Sequence, residues 1–304
     1  MNMSDYRLPA GTQTGRVRLR VSDLERALGF YRDLLGFDPV ASEGPTVALS
    51  ATRRTPYHLL LIEEPGARPK PRGTTGLYHV AIRYPNRPAL ARAFRRLVAH
   101  EWPLQGFADH LVSEALYLAD PDGNGLELYV DRPRERWRRV NGQLEMTTDP
   151  LDVEGLLAEA DGDAAHWTGV DPGTDIGHVH LHVSDLRRAE AFYSGTLGLD
   201  VTQRDYPGAL FLSAGGYHHH LGLNTWAGVG APPPPPDAVG LISFALQVPD
   251  EGTWEALRQR VGVAGLEVED GRDGLAGCGE GARCFLVRDP DGMGVEVWVE
   301  NGVA

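Results

Sequence analysis

The 304-residue chain predicts an α+β fold, with four βαβββ modules pairing into two concave, mixed-sheet, barrel-like half-domains. Three observations carry this reading. Residues 16–38, RVRLRVSDLERALGFYRDLLGFD, recur without a gap at 178–200 as HVHLHVSDLRRAEAFYSGTLGLD. DPDGNGLELYV at 120–130 recurs as DPDGMGVEVWV at 289–299, and GLYHVAIRYP at 76–85 recurs more weakly as GLISFALQVP at 240–249. The pairs keep the same order in both halves, so the chain is a tandem duplication. Each half then divides again into two units that read strand, helix, strands.

Module one, 14–63, opens on the alternating RVRLRV, a strand pattern. Asp23 caps the helix that follows and Gly36 closes it. PGARPKPRGTTG at 65–76 is a linker. Module two, 74–130, ends on a DPDG tight turn leading into a last strand. Residues 131–175 join the halves, with Asp149-Pro150 expected to cap a short helix ending near Ala160. Module three, 176–225, repeats the pattern of module one. Val179, Leu181 and Val183 share one strand face; His178, His180 and His182 share the other. Asp185 caps its helix, with Leu186, Ala189, Phe192 and Tyr193 at helical spacing and Gly198 at its end. Five prolines at 232–236 form a stiff spacer before module four, 238–300. The domain reading is 10–130 for the first half and 176–300 for the second.

Composition narrows the function classes. Apolar residues make up 42% and charged residues 23%, as in ordinary globular proteins. A formal net charge of −13 argues against nucleic acid or an anionic membrane as partner. Arg132, Arg134, Arg136, Arg138 and Arg139 cluster after a strand end and read as a solvated linker. The first 15 residues lack an apolar core segment, so no signal peptide is expected, and no window approaches the ~18 apolar residues of a membrane span. Cys278 and Cys284 make no disulfide framework and no zinc pattern, so a reducing cytoplasm is expected.

The strand faces point to chemistry. The polar face of the module-three strand is three histidines, and histidine is the commonest neutral metal ligand. The alternative is a solvated face. Module one carries Arg16, Arg18 and Arg20 on the equivalent face and cannot bind a cation. In module two, His79 shares a face with Ala81 and Arg83, and Glu127 lies in an otherwise apolar last strand. A glutamate there asks for a cation, unless the strand is an exposed edge. In module four, Ser243 stands where module two has His79, while Glu296 remains. His79, Glu127 and His178 together make the two-histidine, one-carboxylate set of an open facial metal site.

These residues resemble the vicinal oxygen chelate superfamily, built from paired βαβββ units. More closely, the chain over about 10–300 resembles the two-domain catechol 2,3-dioxygenase (extradiol) type, most specifically in GHVHLHVSDL, SAGGYHHHLGLN and SEALYLADPDGNGLELYVDRP. The resemblance implies metal ligands His178 from module three with His79 and Glu127 from module two. Many relatives build the site within the C-terminal half. Ser243 departs from that pattern, so the site is expected between modules two and three, with modules one and four paired as a structural half, within one chain or between two. The resemblance further implies a catalytic histidine in the 218–220 triplet, best matched by His219 with His220 as runner-up, and supporting roles for Tyr117 and for His110, whose spacing is two residues short. It implies an Fe(II) enzyme, or alternatively Mn(II), that opens a catechol with O2. His219 would take and return a substrate proton while Tyr117 and His110 orient the diol. A cytoplasmic homo-oligomer is expected, with Trp226 and the 203–210 stretch shaping the pocket. The competing readings are a glyoxalase-type metal isomerase or lyase, and a metal-free protein that sequesters small molecules.

Overall fold

A computed structural model describes residues 6–160, 167–271 and 282–300. All four modules fold as strand, helix and three strands. Two eight-stranded mixed sheets result, and each draws on both halves of the chain. One sheet joins module two to module three; the other joins module one to module four. The sheets are open at both edges, so the expected barrel-like closure is absent. Mixed pairing within each module leaves a free edge strand at either end, and no edge meets the other.

The seams are the functional geometry of the fold. In one, the module-three strand Asp175–His182 runs antiparallel to the module-two strand Gly76–Tyr84, with His180 opposite His79. In the other, Gln13–Val21 runs antiparallel to Gly240–Gln247, with Arg18 opposite Ser243. Both registers slip at the same place, and the extra residues are Tyr78 and Ile242. Such a bulge redirects a side chain, and Tyr78 is thereby turned toward the histidine face. The last strand of module two, Gly125–Asp131, pairs in parallel with Gly76–Tyr84 and sets Glu127 beside Ala81. Module four sets Glu296 beside Ala245 in the same way.

The apolar strand faces, including Val17, Leu19, Val80, Ile82, Val179, Leu181, Phe244 and Leu246, join the helices in one core. Each helix begins on an Asp or Asn whose side chain accepts a backbone N–H: Asp23, Asn86, Asp185 and Asp250. This satisfies donors that a helix start leaves open. In modules one and three the helix widens into a π turn, Gly29–Leu34 and Ala191–Thr196. Gly36 and Gly198 follow with positive φ, the left-handed ending that glycine favours.

The helices also fasten one sheet to the other. Tyr31 donates to Asp120 at 3.0 Å and Tyr193 donates to Asp289 at 2.9 Å. Ser22 bonds Asp122 and Ser184 bonds Asp291. The repeated DPDG turns are therefore docking points between modules one and two and between modules three and four.

The linker is more structured than its composition suggests. Its helix is Val153–Ala158, capped by Asp152 rather than Asp149. The Asp149 backbone instead pairs with Asp109. Arg132 leaves the expected solvated cluster to pair with Asp109 and Glu114, because the ends of adjacent strands bring both carboxylates to it. Cys284 is disulfide-bonded, which removes the support that cysteine usage lent to a reducing compartment; Cys278 lies outside the described residues. No helix among the described residues is long and apolar enough to cross a membrane.

Candidate metal centre

Glu127 is the centre of the histidine-bearing sheet. It is 3% exposed, and among the described residues its ionic partners are histidines rather than arginine or lysine. His79 Nε2 lies 3.0 Å from its Oε2, and His178 Nε2 lies 3.1 Å from the same oxygen. Donor atoms of all three residues fall within 4.8 Å of one another. His178 is hydrogen-bonded to the carboxylate. His79 Nε2, although as near, makes no hydrogen bond among the described residues. A buried nitrogen aimed at a carboxylate without bonding it is costly unless something lies between them. This orphaned atom, with an anionic oxygen and a second imidazole, fits a divalent cation.

The protonation states agree with that fit. Burial would push the Glu127 carboxyl up, but His178 and His79 outweigh it and hold it well below the usual range. Burial lowers His178 to about 4, so its imidazole is neutral. An ionised carboxylate and neutral imidazole are the forms a metal requires. Gly177, just before His178, allows this packing, because a Cβ there would lie 1.7 Å from the Tyr129 hydroxyl.

A cavity of about 230 Å³ opens over His79 and Glu127. Tyr117, directly opposite Glu127 in the adjacent strand, forms one wall with His110. His110 Nδ1 donates to the Thr147 carbonyl, so its Nε2 accepts the Tyr117 O–H at 2.7 Å. His180, His219 and Phe211 also line the cavity, as do Tyr78, Tyr206 and Trp226. His219 and His180 are both held well below the ordinary imidazole range, chiefly by burial.

The histidine triplet divides by role. His219 lines the cavity. His220 turns its Nδ1 to the Ala214 N–H at 3.1 Å and is structural. His218 bonds Asp131 through Nε2 at 2.9 Å and His219 through Nδ1 at 2.7 Å. Donor atoms of His178, His218 and His219 also cluster, but both His218 nitrogens are consumed by these bonds, so this second group lacks a free ligand.

Sequence reasoning brought His79, Glu127, His178, Tyr117, His110 and His219 forward; five of them line one cavity, and the sixth, His178, is buried against Glu127. The same reasoning missed Asp131, His218, Tyr78 and the linker wall of Met146, Thr147 and Thr148. Asp131 carried a readable signal: it follows Glu127 by four residues on the same face of a strand.

The glyoxalase/bleomycin resistance protein/dioxygenase superfamily model matches residues 13–128 and 175–297. The chain is 45% identical over 283 residues to a catechol-2,3-dioxygenase of Bacillus subtilis (strain 168), covering 92% of this chain and 94% of that one. A solved Bacillus subtilis protein has the same fold with a TM-score of 0.64 at 14% identity, covering 97% of this chain and 86% of that one. Glyoxalase I from Zea mays follows with a TM-score of 0.56 at 17% identity, covering 95% and 92%. Two family matches, a 45% identical relative and two sheets of paired βαβββ modules agree: this chain belongs to the glyoxalase/bleomycin resistance protein/dioxygenase superfamily.

Proposed function

We propose that this protein is a metal-dependent extradiol ring-cleaving dioxygenase that opens a catechol-type diol with O2. The observation that carries the reading is the triad of His79, Glu127 and His178, beside a cavity lined by aromatic residues, His219 and Tyr117. The 45% identity to a catechol-2,3-dioxygenase supports the same reaction. His79, His178 and Glu127 would hold Fe(II), the metal suited to an open two-histidine, one-carboxylate site, with Mn(II) as the alternative. Bound there, the metal would acidify the diol and supply the redox chemistry toward O2.

The chain's own residues do the rest. The cavity is about 230 Å³, and Phe211, Trp226, Val112 and Met146 give it apolar lining against which an aromatic ring can pack. His219 takes the proton of a substrate hydroxyl: the O–H bond breaks, an N–H bond forms, and the proton is returned later in the cycle. Tyr117 keeps its proton, because burial and the nearby Glu127 hold its hydroxyl well above the usual range. With His110 as its acceptor, it orients the diol against the Glu127 side of the cavity.

The test is oxygen uptake by anaerobically Fe(II)-loaded protein on adding catechol, followed with the yellow ring-fission product. Uptake with yellow product supports the reading. Turnover of another substrate in the absence of oxygen would favour glyoxalase-type chemistry instead.

A further inference from the structure

We infer that Asp131 and His218 form a positioning relay that presents His219 to the cavity as a base at Nε2. The inference rests on the proposed reaction for its purpose, but its geometry stands alone. Asp131 is the last residue of the strand that carries Glu127. Its Oδ1 accepts from His218 Nε2 at 2.9 Å and from the Tyr217 hydroxyl at 3.1 Å, and its Oδ2 accepts from Arg83 at 3.3 Å. A carboxylate paired with a guanidinium offers only lone pairs. His218 Nε2 must therefore carry the proton.

The rest follows along the chain of bonds. In its neutral form, with Nε2 protonated by the bond to Asp131, His218 presents a lone pair at Nδ1. That atom lies 2.7 Å from His219 Nδ1, so His219 must be the donor. His219 is thereby fixed as the Nδ1–H tautomer, with its basic lone pair at Nε2. Which nitrogen of a histidine reacts is set by the bond the other one makes. When His219 accepts a substrate proton, the new positive charge lies on a chain that ends at Asp131.

The relay is held rigidly. His218 is fully buried. Its ring packs 4.1 Å from Tyr217 and 5.3 Å from Trp137. Tyr129 donates to Tyr217, which donates to Asp131. The other sheet carries different residues at these places: counted back from the matched Leu59 and Leu221 positions, Pro56 and Tyr57 stand where His218 and His219 do. The relay occurs in the sheet with the open donor cluster.

The test compares Asp131→Asn, His218→Leu and His218→Asn in Fe(II)-loaded protein, with histidine ¹⁵N spectra of the metal-free forms. An asparagine side chain at this position would restore an acceptor near the site of Nδ1, whereas a leucine would not. The expected result is a kcat loss of about 10- to 100-fold for Asp131→Asn and His218→Leu, with KM and iron content unchanged. His218→Asn recovers most of that loss. Wild-type spectra show His219 protonated at Nδ1, and Asp131→Asn yields a tautomer mixture. A wild-type His219 protonated at Nε2, or His218→Asn no better than His218→Leu, overturns the relay. Absence of ring cleavage by the wild type, with the Nδ1–H tautomer intact, would sink the proposed reaction and leave the relay standing.

Discussion

The two sheets have the same strands, register and seam bulge, yet they treat a buried glutamate in opposite ways. Around Glu296, Arg16 lies 3.0 Å away and Arg18 2.7 Å away, while Ser243 donates at 2.5 Å. Around Glu127, the same positions hold His178, His180 and His79. One sheet neutralises its carboxylate permanently with guanidinium groups. The other surrounds it with imidazoles and leaves two of their nitrogens, His79 Nε2 and His178 Nδ1, without a hydrogen bond among the described residues. Duplication supplied two like frames around a glutamate; the residue types at three strand positions separate a structural ion pair from a candidate metal site.

Breaking the acid–base wall should have the largest effect. His219→Ala is expected to keep its metal and lose about 10²- to 10⁴-fold in kcat, measured by oxygen uptake beside iron content. Its counterpart Tyr57 belongs to the ion-pair sheet, and Tyr57→Phe should leave turnover near wild type.

Next comes the ion pair. Glu296→Gln removes the buried carboxylate charge that Arg16 and Arg18 face and should cost about 3–5 kcal/mol of stability, read from denaturant unfolding. Iron content and kcat of the folded fraction should not change. If iron were lost instead, the division of labour between the sheets would be wrong.

A further expected effect is a pH dependence concentrated in the histidine-rich sheet. Burial lowers His178 to about 4 and His220 to about 3, and it also lowers His180, His182 and His219. Below pH 6.5 the unfolded chain takes up protons that the folded chain refuses, so metal-free protein loses stability as pH falls from 6.5 toward 4. His178 alone accounts for about 2 kcal/mol at pH 5. Asp289, pushed up to about 6 by burial, opposes the trend, since its folded form binds the proton first. Urea midpoints at pH 7 and pH 5 measure the difference, and equal midpoints would contradict it.

The module pattern was legible because strand alternation and an ungapped repeat are local properties of sequence. The pairing across the chain midpoint was legible at one residue, Ser243, which left module four without a second histidine. Other features depend on contacts between distant segments. The register slip that turns Tyr78 into the cavity comes from how two strands meet. The Met146–Thr148 wall belongs to a linker whose path no periodicity encodes. Within the triplet 218–220, spacing could not assign roles. His58 at the matching place in module one, which accepts the Ala51 N–H at 3.2 Å as His220 accepts that of Ala214, held the clue that His220 is structural. The direction of the His218–His219 bond needed Asp131 in place to be read.

The central claim is that the seam between modules two and three, and not its twin, holds the metal. Iron content of Glu127→Gln and Glu296→Gln after anaerobic Fe(II) loading tests it most directly. The account predicts about one iron per chain in wild type and in Glu296→Gln, and essentially none in Glu127→Gln. Full iron in Glu127→Gln, or its loss in folded Glu296→Gln, would contradict it.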